Sequence, residues 1–103
     1  MVYTRLSLIL SEDELSRLTI NKTVDNCIQI VVDVHGMKCY EARRFINNII
    51  NTVRCTVRLE VIHGYNHGTA IKDMLASDFT NAHIEELYLD QDNQGMTHML
   101  IAA

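Results

Sequence analysis

Asp33, His35 and the segment His63-Gly64-Tyr65-Asn66-His67-Gly68-Thr69 carry the residue types that could do chemistry in this chain. Asp33 and His35 stand two apart in an apolar run, so on a strand their side chains share a face. A carboxylate beside an imidazole fixes the tautomer of the ring and favours its charged form. The plainer alternative is that Asp33 caps local backbone groups and His35 marks the end of a strand. In the second segment Gly64 and Gly68 permit positive φ, and Asn66 tolerates it. Such a loop turns successive N–H groups inward and opens onto a helix, where free amides and the dipole favour an anion. Thr69 suits the N-cap of that helix. A phosphate would then be held by backbone amides, although an ordinary tight turn fits the same residues.

Other constellations carry less. His35, His63, His67 and Asp33 are possible zinc ligands, but no pair has helical or finger spacing, so no metal site is assigned. Cys39 follows Lys38 in the first turn of a helix, where a thiol can be activated; more often such a residue is small apolar filler. Arg43 and Arg44 suit a solvated helix face or a contact to a nucleic-acid backbone.

Local patterns then say which elements must position these residues. Cys27–Val34 is a β-branched run that reads as a parallel strand buried on both faces. Cys55–Ile62 reads as a second strand. Both runs end in His-Gly, and each leads into a helical pattern. Ala42, Phe45, Ile46, Ile49, Ile50 and Val53 follow helical spacing and form one buried stripe. A second helix is expected over about Thr69–Ser77, with Ile71, Met74 and Leu75 inward. Strands over Ile84–Asp90 and Met96–Ala102 flank Asp92-Asn93-Gln94-Gly95, whose turn chemistry predicts an antiparallel hairpin. A strand–helix–strand unit is parallel, so both His-Gly corners should fall at one carboxyl edge, where open α/β sheets bind ligands. Parallel neighbours lie about 4.8 Å apart, which brings His35 and His63 together. The fold class is therefore α/β, an α+β two-layer sandwich. Its β-α-β-α-β-β core over residues 27–103 has a mixed four-stranded sheet. Residues 1–26 form an extension. Val2, Leu6, Leu8 and Leu10 alternate with polar or other residues and predict a strand. Ser11-Glu12-Asp13-Glu14 is a capping-box signature that predicts a short helix over about 12–19. The extension is placed to cover a sheet edge.

Composition narrows the partners. The chain has 103 residues, enough for one core, and 48% are hydrophobic. Its formal net charge of −4 gives no general basic footprint for coating nucleic acid, though a local cationic patch remains compatible. No stretch is long enough to span a membrane. Three cysteines without C-x-x-C spacing predict a reduced, cytoplasmic protein.

The ordered set of motifs resembles the Smr (small MutS-related) domain over about residues 28–102. The first family motif corresponds to Val32-Asp33-Val34-His35-Gly36 with Glu41-Ala42. The second corresponds to His63-Gly64-Tyr65-Asn66-His67-Gly68, and the hairpin piece to Asn93-Gln94-Gly95-Met96-Thr97. The resemblance implies a sandwich similar to the C-terminal domain of a bacterial translation initiation factor that binds the small ribosomal subunit. It also implies nucleic-acid binding and endonuclease activity, with Asp33, His35, His63, Gly64 and Gly68 implicated in cleavage. Tyr65 stands where many relatives carry Lys or Arg, so a hydrogen-bond donor or stacking ring replaces a cation. Lys38 stands where a capping Thr is usual and is a candidate source of the missing charge.

The leading expectation is thus an Smr-like domain that binds RNA, or branched or single-stranded DNA, and cuts it. His35 would be the general acid or base, oriented by Asp33. His63 and the Gly64–Thr69 amides would hold a phosphate, with Tyr65 stacking on a base. Asp33 and phosphate oxygens could hold Mg²⁺ loosely. The alternatives are a noncatalytic module for nucleic acid, ribosome or a protein, and a small phosphate or nucleotide binder.

Overall fold

The computed structural model describes residues 2–23, 27–65 and 68–102. Asn66 and His67 therefore lie outside the described residues. Four helices and a five-stranded mixed sheet are present among them. In chain order they are α1 (Val2–Ile9), α2 (Glu12–Ser16), β1 (Leu18–Lys22), β2 (Ile28–Asp33), α3 (Cys39–Thr52), β3 (Val57–Ile62), α4 (Ala70–Ser77), β4 (Ile84–Leu89) and β5 (Met96–Ile101). The strand order is β1-β2-β3-β5-β4. β2 and β3 are parallel neighbours, and β4 and β5 form the expected antiparallel hairpin.

The strand expected near the N-terminus is instead helix α1. Leu6 and Leu10 are buried, while Leu8, which a strand would put on their face, is 80% exposed. Leu6 and Leu10 are one helical turn apart, so the same leucines satisfied two periods. The capping box at Ser11 is formed: Ser11 Oγ accepts from Glu14 N–H, and Glu14 Oε1 accepts from Ser11 N–H. The helix it starts is shorter than expected, because Leu18 already pairs with Val32 as the first residue of an edge strand. That strand makes the sheet five-stranded rather than four.

Among the described residues, the sheet is covered on one face only. Ile30 and Val32 of β2, Leu59 and Val61 of β3, and Met99 and Ile101 of β5 are buried in one core with Phe45, Ile46, Ile49 and Ile50 of α3 and Leu75 of α4. Their strand neighbours alternate outward, so β2 is not buried on both faces: Gln29 and Val31 are half-buried. On the other face Gln29 Nε2 donates to Glu60 Oε1 at 2.8 Å, and His98 Nε2 lies 2.6 Å from Asp90 Oδ1. The His98 ring stacks on Tyr88 at 5.1 Å. That His98 bond, helped by the amides of Asp92 and Asn93, holds the Asp90 carboxyl below its ordinary value. Asp90 thereby closes the hairpin turn.

α3 is aligned by its buried stripe and fixed at its start by Glu41, whose carboxylate accepts from the Lys38 N–H at 3.0 Å. The Lys38 side chain has no acceptor and caps nothing. Arg43, a candidate nucleic-acid contact, binds Asp78 beyond α4 through Nη2 and Oδ2 at 2.5 Å. This ion pair joins two helices of the same chain. Arg44 is exposed.

Candidate active site at the carboxyl edge of the central strands

β2 and β3 end level with each other, because Asp33 pairs with Ile62 and Val34 N–H donates to the Ile62 carbonyl at 2.9 Å. Both His-Gly corners therefore open on the same cavity. It has a volume of about 480 Å³, and His35, Met37, Ile62, His63, Tyr65 and Lys72 are among the residues lining it. The two corners are close: a Cβ on Gly64 would lie 3.8 Å from the Cβ of His35.

The first corner is an exposed dyad. Asp33 Oδ1 lies 2.5 Å from His35 Nδ1 and also accepts the His35 backbone N–H at 3.1 Å. One carboxylate thus both caps the turn and orients the ring. A carboxylate only accepts, which assigns the hydrogen to Nδ1 and leaves Nε2 with a lone pair in the neutral ring. The His35 side chain is 67% exposed, and among the described residues Nε2 has no partner.

Arg17 braces this corner from the N-terminal segment. Its Nη1 donates to the carbonyls of Asp33 at 3.2 Å and His35 at 3.4 Å, and its own carbonyl accepts the Asp33 N–H. A residue of the extension thus holds both ends of the Asp-x-His motif. Nothing in the local sequence around Arg17 indicates this, because the contact spans sixteen residues.

The second corner is built differently from the expectation. His63 is buried, with 6% of its surface exposed. Its Nδ1–H donates to the Gly64 carbonyl at 2.9 Å, and Nε2 accepts from the Thr97 hydroxyl at 2.8 Å. Both ring nitrogens are engaged inside the protein, which leaves His63 to shape the corner. The amides of His63 and Gly64 both donate to the Gly95 carbonyl, at 2.8 and 3.0 Å. Gly64 N–H is therefore not open to a phosphate. This junction needs glycine on both sides: Gly64 has φ +72°, and a Cβ on Gly95 would come within 3.2 Å of Gly64 Cα. Asn93 Oδ1 holds Gly95 in place by accepting its N–H at 2.8 Å. The hairpin turn thus buttresses the His-Gly loop.

Burial pushes the His63 imidazole below its ordinary pKa of 6.5; the Gly64 hydrogen bond opposes this, and the charge of Lys72 adds to it. Below that value the unfolded chain binds a proton that the folded chain resists. Stability is therefore full above about pH 6.5 and is expected to fall as pH drops toward the lowered folded value. Thr97→Val should cost about 1–3 kcal/mol by leaving Nε2 buried without a donor. Urea unfolding at pH 7.5 and pH 5.5 checks both, and a Thr97→Val protein as stable as the wild type would contradict the assigned bond.

The remaining candidates divide. Tyr65 is 46% exposed and lines the cavity, as does Gly68. Thr69 precedes α4, but its hydroxyl donates to Asp73 Oδ2 at 2.8 Å and caps no helix amide. Lys38 is exposed and is not among the residues that line the cavity. The cation there is Lys72, in the first turn of α4, whose Nζ donates to Gln94 Oε1 at 3.3 Å. Sequence reasoning passed over Lys72 because its helical position says nothing of which strand edge the helix starts beside. Cys39 Sγ contacts the Ala70 carbonyl at 3.7 Å and links the two helix starts.

Among the described residues no three His, Cys, Asp or Glu side chains converge, and Asp33 Oδ1 already serves His35. Among the described residues no helix is long and apolar enough to cross a membrane. In comparisons with known proteins, no family model, no curated protein and no solved structure matches this chain.

Proposed function

We propose that this chain is an Smr-like nucleic-acid-binding domain that cuts phosphodiester bonds at the carboxyl edge of β2 and β3. The observation that carries the reading is the Asp33–His35 dyad, whose Nε2 has no partner among the described residues, beside a cavity of about 480 Å³ that His35 lines. In a cut, Nε2 takes a proton from the attacking hydroxyl or water, or returns one to the leaving oxygen as the phosphorus–oxygen bond breaks. Asp33 holds the ring in the required tautomer. Lys72 offsets charge that builds on the phosphate. His63, Thr97 and Gly95 position the loop, and Tyr65 meets the substrate. The finer likeness to the initiation-factor domain, a cytoplasmic setting, and RNA or the ribosome as partner belong to the same reading.

The test is incubation of the purified chain with labelled single-stranded RNA and with branched DNA, with and without Mg²⁺. Cutting of either, weakened by rising salt, is the expected result. A second reading, a noncatalytic binding module, is favoured by Lys72 being the only lysine or arginine among the described lining residues, together with the net charge of −4. Salt-sensitive binding with no product would select it.

A further inference from the structure

The loop amides and His63 were the expected phosphate ligands, yet His63 and the Gly64 N–H are engaged within the protein. Apart from His63, the ionisable side chains with nitrogen among the described lining residues are His35 and Lys72. Between them the lining is largely apolar: Ile71 is buried, and Met37 and Ile62 are half-buried. A phosphate has no use for such a surface, since an anion on apolar groups is poorly solvated. The volume, about 480 Å³, lies in the range of pockets that enclose whole small molecules. Tyr65 adds a half-exposed ring with no hydrogen-bond or ring partner among the described residues. Apolar side chains, an exposed aromatic ring and a cation lining one cavity are together what a single unstacked nucleotide needs.

We propose that this cavity is a base slot: one nucleobase, turned out of its stack, rests on Met37, Ile62 and Ile71 against the Tyr65 ring, which sets its phosphate beside His35 and Lys72. This deepens the cleavage reading and rests on it for the phosphate chemistry. It makes an unpaired nucleotide the required substrate element, because a base held in a duplex cannot enter. The side chains of Ile62 and Ile71 carry no hydrogen-bonding group and Met37 only a weak acceptor, so the slot accepts bases with little preference.

The experiment has two arms. In the first, adenosine 5′-monophosphate and ribose 5-phosphate are titrated into the protein while Ile62, Ile71 and Met37 methyl resonances are followed. Adenosine 5′-monophosphate should shift these methyls and bind about 10-fold or more tightly than the base-less sugar. Tyr65→Ala should remove that difference and Tyr65→Phe should keep it. Equal affinity of the two ligands, or shifts that avoid these methyls, overturns the slot. In the second arm, a single-stranded oligonucleotide is assayed for binding and cutting. Cutting, together with equal affinity for adenosine 5′-monophosphate and ribose 5-phosphate in the first arm, would leave the cleavage reading standing and the slot refuted. A filled slot with no cutting would refute the cleavage reading alone.

Discussion

His35→Ala is expected to lower the rate of phosphodiester cleavage by about 10²–10⁴-fold while leaving the fold intact. The ring is mostly exposed and packs against nothing in the core, so unfolding free energy should move by no more than about 0.5 kcal/mol. Substrate affinity should change little, because Lys72 and Tyr65 remain. Asp33→Asn should fall between the wild type and His35→Ala. The carboxamide still accepts the His35 N–H and caps the turn, but a neutral amide is a weaker acceptor for Nδ1–H than a carboxylate, so the ring is held less firmly in the required tautomer. Single-turnover rates on an RNA or branched DNA that the wild type cuts, with affinities measured in parallel, test the pair. An undiminished rate in His35→Ala would remove the dyad from the chemistry, and with it the central support for the proposed activity.

Phe45→Ala should have the largest effect on stability, a loss of about 3–5 kcal/mol. Phe45 is completely buried and sits in the stripe by which α3 meets the sheet. A domain of this kind has only about 5–15 kcal/mol in total, so this one ring accounts for a large share. The consequence reaches the site, since α3 begins at Cys39, just after the His35-Gly36 turn. Tyr40→Ala on the same helix serves as the control: Tyr40 is 62% exposed, and its loss should cost no more than about 0.5 kcal/mol. Urea unfolding separates them, with a lower midpoint and unchanged slope for Phe45→Ala. A Phe45→Ala protein as stable as Tyr40→Ala would mean that the packing of α3 on the sheet is not as described.

Much of this fold is legible along the chain because the signals are local. The Phe45-Ile46-Ile49-Ile50 stripe repeats at the helical period and has no second solution. Asp92-Asn93-Gln94-Gly95 is turn chemistry between two strand patterns, and it closes the β4–β5 hairpin. A strand, a helix and a strand in succession put the two His-Gly corners at one edge, and they line one cavity. Asp33 and His35 needed only their spacing to be paired. The N-terminal ten residues misled because their leucines fit both a strand and a helix, and only burial against the core separates the two.

What tertiary structure decided lies wherever a contact joins distant residues. Whether His63 faces substrate or the interior depends on Thr97, thirty-four positions away, offering its hydroxyl to Nε2. The Gly64 amide, expected as an anion ligand, instead donates to the Gly95 carbonyl of the distant hairpin. Arg17 braces the dyad because β1 joins the edge of the sheet, and Lys72 supplies the cation because α4 starts beside the cavity. Residue types and periods declare which chemistry a chain carries; which donors remain free is settled only once every buried polar group has taken its partner.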